Sequence, residues 1–156
     1  MTPKVTPFLW FKSQADEAIN FYVSLFKNSE ILKIDRLTDD GSVYATSFRL
    51  DGQEFIALNG GPEGDQSKFN DSISFVISCD DQDEVDHFWD ALAVGGKPVG
   101  CGWIKDKYGV TWQVTPKAMS DYMSGPDPEG AAGAMKAMSQ MVKIDLPKLK
   151  ALYEGS

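Results

Sequence analysis

Few side chains in this sequence could carry chemistry, so they can be weighed one at a time. There are two cysteines and a single histidine among 156 residues. Cys101 stands between Gly100 and Gly102, two positions before Trp103. A thiol becomes a nucleophile when a base or a helix end favours its thiolate. No histidine is placed to do this, so activation would fall to Lys105 or a helix end, and a structural thiol is the favoured reading. His87 sits between Asp86 and Phe88 on the polar side of a Val85, Phe88, Trp89 stripe, where a helix histidine meets water. Asp106 precedes Lys107-Tyr108-Gly109, and its expected role is turn chemistry with that glycine. The aromatics Phe8, Trp10, Phe55, Trp103 and Trp112, with Asn59 and Gln113 as polar groups, have the composition of a small-molecule pocket; half of them could equally be core.

The elements that must position these residues are written twice. Residues 16–22 read DEAINFY and residues 83–89 read DEVDHFW, 67 positions apart. The surroundings repeat as well. Val5 to Phe11 is an apolar run containing Pro7 and reads as an edge or starting strand. Ser13 is placed to cap a helix whose apolar positions are Ala15, Ala18, Ile19, Tyr22, Leu25 and Phe26. ILKIDRL follows, then a DDGS turn, then a hairpin turning at Asp51-Gly52. In the second half, Ser72 to Ser78 alternates like a strand, and Asp80 or Asp81 can cap a helix striped with Val85, Phe88, Trp89 and Leu92. Gly95-Gly96 ends that helix. A short strand near Lys97 to Gly100, the segment CGWIKD, a turn at 107–109 and VTWQVTP complete the copy.

Each copy reads as βαβββ, which leaves one face of a small sheet in need of a partner. The expected fold class is α+β: two βαβββ modules forming a curved eight-stranded cleft, followed by a helical tail. Module one spans 1–60, the linker 61–71, module two 72–116 and the tail 117–156. In the tail, Met135, Met138 and Met141 recur every three residues, read as packing or a subunit contact. Asp145-Leu146-Pro147 reads as a cap with Pro in the first turn.

Composition excludes several partners. The net charge is −8 and the 15 basic residues are scattered, so nucleic acid and anionic membranes are not expected. No apolar run reaches the 18 residues of a membrane span, and the N-terminus lacks a signal-peptide layout. Two cysteines are too few for a disulfide scaffold, and they read as reduced thiols in a cytoplasmic protein.

TPFLWF followed by ADEAINFYVSLF, then FIALNGG, DEVDHFWDAL and above all CGWIKDKYGVTWQVTP resemble the PhnB-like proteins. This branch of the vicinal oxygen chelate superfamily (glyoxalases, bleomycin-resistance proteins and ring-cleavage dioxygenases) is also described as demethylubiquinone methyltransferase-like. The tail AMKAMSQMVKIDLPKLKALY shares the resemblance. It implies the paired-module fold and a homodimer. Catalytic members of the superfamily hold a divalent metal with His or Glu from the first and last strands of each module. Here those strands read VTPFLWF, FIALN, SISFVIS and VTWQV, without His, Asp, Glu or Cys. The alignment implied by the resemblance puts Gln113 in a ligand slot and Ala57 in its counterpart. A neutral amide alone is a poor ligand, so no metal is expected.

No glycine-rich turn joins a strand to a helix in a crossover unit, and there is no GK[ST], so neither S-adenosylmethionine nor a nucleotide has a motif behind it. The expected cofactors are none. The first expectation for function is a metal-free binder of an unknown small molecule, lined by Phe8, Trp10, Phe55, Asn59, Cys101, Trp103 and Gln113. The alternatives are a lyase, isomerase or other enzyme of the superfamily acting on an unidentified substrate, and a structural or regulatory dimer whose cleft is filled by its own side chains. Methyltransferase activity is not expected.

Overall fold

The computed structural model describes residues 3–61 and 68–155. The chain forms two compact units, Met1–Lys68 and Phe69–Ser156. Residues 62–67 of the expected linker lie outside the described residues.

The first unit contains β1 (Phe8–Phe11), α1 (Ala15–Leu25), β2 (Glu30–Arg36), β3 (Tyr44–Leu50) and β4 (Gln53–Asn59). Its four strands are ordered β1-β4-β3-β2, with β1 parallel to β4 and the other pairs antiparallel. Pleating sends alternate side chains to opposite faces. Leu9, Phe11, Phe48, Leu50, Phe55 and Ala57 are buried on one of these faces, where they meet Ala15, Ala18, Ile19 and Tyr22 of α1. The β3–β4 hairpin turns at Asp51-Gly52 as expected. Both residues have positive φ, 46° and 86°, the geometry that matches the twist of the flanking strands.

Two local expectations change. The first strand begins at Phe8 rather than Val5, since Pro7 has no N–H to give and only its carbonyl joins the ladder, accepting from Ile56 N at 3.0 Å. Ser13 does not cap α1. The residue flanking the helix is Gln14, which makes no side-chain cap bond, and Asn59 Oδ1 at the end of β4 accepts from Ala15 N at 3.0 Å. One free N–H group of the first turn is thus satisfied by the sheet.

The second unit repeats the plan. It contains β5 (Phe75–Cys79), α2 (Gln82–Ala93), β6 (Lys97–Gly100), β7 (Trp103–Lys105) and β8 (Thr111–Pro116), ordered β5-β8-β7-β6. Asp81 Oδ1 accepts from Glu84 N at 2.9 Å, while Glu84 Oε2 accepts from Asp80 N at 2.6 Å, a reciprocal cap. Val85, Phe88, Trp89 and Leu92 bury the inner face of α2 against Ile77, Ile104, Trp112 and Val114. Ala18 and Val85, then Tyr22 and Trp89, hold the same places in the repeated word, and all four are buried. The repeat marks two equivalent helices on two sheets of one topology.

The tail forms α3 (Met119–Met123), α4 (Pro128–Ser139) and α5 (Leu146–Tyr153) around a small core of Ala134, Met141, Ile144 and Leu149. Asp145 caps α5, its Oδ1 accepting from Lys148 N at 3.0 Å. The methionines do not act as one stripe. Helix α4 ends before Met141, and Met135 is 52% exposed whereas Met141 is 9% exposed.

Lys143 Nζ lies 2.8 Å from Asp86 and 3.0 Å from Asp90 of α2. Hydrogen bonds from Lys143 and then Gln82 hold the Asp86 carboxyl below its ordinary 3.8. Burial works against the Lys143 ammonium, but bonds to Asp86 and Asp90 outweigh it and keep its pKa above 10.5. The Asp86 contribution is present above pH 3.8 and is lost as pH falls through the lowered value; the Lys143 contribution is present below pH 10.5 and is lost as pH rises through the raised one. All three groups are partly exposed, so the pairs together contribute no more than about 1 kcal/mol. Lys143→Met should therefore lower the melting temperature slightly at neutral pH and leave it unchanged near pH 2. Scanning calorimetry of both proteins at the two pH values measures this; an equal loss at both would assign the effect to packing instead.

Candidate functional site

The face of each sheet turned away from its helix carries the candidate residues. In the first unit, Phe8 and Trp10 of β1 stand on that face beside Ile56 and Leu58 of β4, with Phe8↔Ile56 and Trp10↔Leu58 in register. Phe8 is 54% exposed. Trp10 is half-buried, and its indole Nε1 donates to Gly60 O at 2.6 Å. A Cβ at Gly61 would come within 2.9 Å of the same ring, so this glycine lets the chain close over the indole. Phe55 and Asn59 lie on the other face. Phe55 is buried and stacks on Phe48 with ring centroids 5.4 Å apart, and Asn59 caps α1 as described.

In the second unit the corresponding face carries Val76 and Ser78 of β5, Thr111, Gln113 and Thr115 of β8, and Trp103 and Lys105 of β7. Gln113 stands between Val76 and Trp103, its direct partners on the two neighbouring strands. Gln113 Nε2 donates to Ser74 Oγ at 2.9 Å, which fixes the amide on this face. One row away, Asp71 Oδ1 accepts from Thr111 Oγ1 at 2.7 Å and lies 3.2 Å from Lys105 Nζ. The Thr111 hydroxyl, then Lys105, hold the Asp71 carboxyl below its ordinary pKa.

Trp103 and Gln113 are therefore brought together. Cys101 stands at the tip of the β6–β7 turn with φ of 54°, its Sγ 3.6 Å from Ser139 O of the tail. Cys79 is fully buried, and burial followed by the charges of Glu84, Asp80 and Asp81 pushes its thiol up to about 12, which makes it inert as a nucleophile. His87 is exposed on α2 beside Phe88. Trp112 belongs to the helix side, where its Nε1 donates to Asp106 Oδ2 at 2.9 Å.

Sequence reading missed Ser74 and Asp71. The Ser-apolar alternation of 72–78 carried a signal for Ser74, since it places Ser74 and Val76 on one face. Asp71 carried none, because its partners Thr111 and Lys105 are 40 and 34 positions away.

A divalent cation bound in the superfamily's manner needs charged or imidazole ligands on the helix-free positions of the first and last strands. Those positions are Phe8 and Trp10, Glu54, Ile56 and Leu58, Val76 and Ser78, and Thr111, Gln113 and Thr115. Ala57, the expected counterpart of Gln113, is fully buried on the helix side, because a shift of one residue moves a side chain to the opposite face. The observed strands are also longer than the segments read from sequence, and take in Glu54 and Cys79. Glu54 is the cross-strand neighbour of Arg49 near the hairpin end, and Cys79 faces α2. Among the described residues no three His, Cys, Asp or Glu side chains converge. The donor set does not fit such a cation.

Two βαβββ units of identical strand order, each with a helix on one sheet face, define a member of the vicinal oxygen chelate superfamily. Within it, residues 3–115 match the family described as 3-demethylubiquinone-9 3-methyltransferase, and the chain belongs to that family, the PhnB-like branch. The PhnB protein from Bacillus cereus is 36% identical, over 73% of this chain and 99% of its own, with a TM-score of 0.66. Protein PA1353 from Pseudomonas aeruginosa shares the fold at 17% identity, over 74% of this chain and 98% of its own, with a TM-score of 0.59. The fosfomycin resistance protein FosX from Listeria monocytogenes does so at 17% identity, over 72% and 91%, with a TM-score of 0.50. No curated protein matches the chain. The tail, included in the resemblance read from sequence, falls outside the matched residues.

Proposed function

We propose that this chain binds a small, partly apolar or aromatic molecule on its helix-free sheet faces, without a resident metal. One observation carries the reading. Apart from Glu54 at the hairpin end, the strand positions that would hold a cation carry aromatic and aliphatic side chains, the hydroxyls of Ser78, Thr111 and Thr115, and one oriented neutral amide, Gln113. The row Val76–Gln113–Trp103–Gly100 contains no ionisable group, and the neighbouring Lys105 is turned to Asp71. Such a surface suits a ligand with a flat apolar part over Trp103 and a neutral hydrogen-bonding group at Gln113; the first unit's own helix-free face carries Phe8 and Trp10. The family's description does not extend to transfer of a methyl group here. Both sheets mix parallel and antiparallel pairs, and no glycine-rich strand-to-helix crossover is present among the described residues.

Native mass spectrometry of the purified protein, followed by an NMR screen of neutral aromatic compounds, tests the proposal. Trp103→Leu and Gln113→Leu should each weaken a hit about tenfold, the scale of one lost stacking contact or one hydrogen bond. Added zinc, nickel or manganese should leave the melting temperature unchanged. A reproducible rise with metal, or micromolar binding of S-adenosylmethionine by calorimetry, would overturn the reading.

The same proposal places the protein in the cytoplasm, where free Cys79 and Cys101 stay reduced. No helix among the described residues is long and apolar enough to cross a membrane. It also takes the chain as a two-fold homodimer, supported by the exposed apolar residues Met135, Val142 and Leu152 of the tail. Light scattering should give twice the 17.2 kDa chain mass, and removal of residues 130–156 should weaken the pair; a monomer at high concentration would refute it.

A further inference from the structure

Within the second unit, residues 141–146 of the tail join the Gly100–Gly102 turn and α2 through contacts of four kinds. Cys101 N and Gly102 N donate to Met141 O and Val142 O at 2.8 and 2.9 Å. Gln82 of α2 grips the backbone twice, with Nε2 donating to Ile144 O at 3.0 Å and Oε1 accepting from Leu146 N at 2.8 Å. Lys143 spans Asp86 and Asp90. Ile144 is fully buried in a seat that exists because residue 102 is glycine: a Cβ there would lie 2.9 Å from Ile144 Cγ1.

The turn that receives this segment cannot satisfy itself. Gly100, Cys101 and Gly102 all have positive φ, 131°, 54° and 81°, and the N–H groups of 101 and 102 find their acceptors in the tail. A buried N–H without an acceptor is costly, so turn and tail complete one another. The ion pairs among these contacts give way before a core does. Asp86 and Asp90 side chains are 44% and 70% exposed, and ion pairs of that kind are weak. The core of β5, β7, β8 and α2 uses none of the residues of the segment. Regions held this way open locally at lower free energy than the whole domain.

We propose that residues 141–146 are a latch, whose release frees the Gly100–Gly102 turn and the adjoining Trp103 while the rest of the second unit stays folded. Gln82 and Lys143 are its fasteners. The latch couples a tail that lies beyond the family match to a residue on the candidate binding face. It does not depend on what that face binds.

The two cysteines of the full chain provide the test, read alongside amide exchange. Cys101 sits half-buried on the turn, and Cys79 is fully buried under α2, so a rise in iodoacetamide labelling above the parent rate, matched by amide exchange, reports latch opening at the first and labelling reports global unfolding at the second. Gln82→Ala and Lys143→Glu should each raise Cys101 labelling, and exchange of the Cys101 and Gly102 amides, at least tenfold. Cys79 labelling should not change. Combining Lys143→Glu with Asp86→Lys and Asp90→Lys should restore most of the protection. The proposal is overturned if neither variant changes Cys101, if both thiols become reactive in step, or if the charge swap restores nothing.

Discussion

Asp106→Ala is expected to destabilise the second unit by about 4 kcal/mol, seen as a lowered urea midpoint with an unchanged slope. The carboxylate is 4% exposed and serves three donors at once. Oδ1 accepts from Tyr108 N at 2.9 Å and Val110 N at 3.0 Å, while Oδ2 accepts from Trp112 Nε1 at 2.9 Å. Removing it strands these donors, and each unsatisfied buried group costs about 1–3 kcal/mol. Asp106→Asn separates the roles. Its oxygen can keep the two backbone bonds, but its amide nitrogen then faces the indole N–H, donor against donor, at a cost of about 2 kcal/mol. Asn as costly as Ala would show that the indole rather than the turn suffers; a loss below about 1 kcal/mol in both would refute the account.

Gly96→Ala should be nearly as damaging, and more so than Gly95→Ala. Gly95 has φ of 70°, so alanine there meets the left-handed penalty of about 1–2 kcal/mol. Gly96 has no such conformation. Its problem is space, because a Cβ would press into the backbone oxygens of Leu92 and Lys105, the latter at 2.6 Å, and neither can move without shifting α2 or β7. Overpacking against fixed backbone costs about 3 kcal/mol. Urea denaturation of the two variants side by side gives the ranking, and the reverse order would defeat it.

Features written in neighbouring residues were legible. Asp51-Gly52 announced its hairpin, Asp81 its cap, Gly95 its helix end and Asp106 its turn, because each depends on partners a few positions away. The doubled word showed the order of elements in both units for a similar reason, since helix periodicity and turn chemistry are local. What depends on register was not legible. Asn59 replaces Ser13 as the cap of α1 through a contact spanning 44 positions. Phe55 and Phe8 look alike in sequence, yet one stacks in the core and the other stands on the helix-free face, a distinction fixed by pleat and pairing. Ala57 and Gln113 read as equivalents and face opposite ways. Met141 shared a spacing with Met135 and Met138, but the helix ended before reaching it.

The strand order of the first sheet has a consequence during synthesis. β2, β3 and β4 are joined by short local connections and can pair as soon as each emerges. β1 cannot, because its parallel partner is the last strand of the unit, with Phe8 matched to Ile56, 48 positions later. Closing that long loop is slow compared with a hairpin. On the ribosome, β1 must therefore wait with its backbone unpaired until β4 clears the exit tunnel. β1 is the last piece of its sheet to settle, and a nascent chain stalled before residue 59 would present that strand's unpaired edge to chaperones.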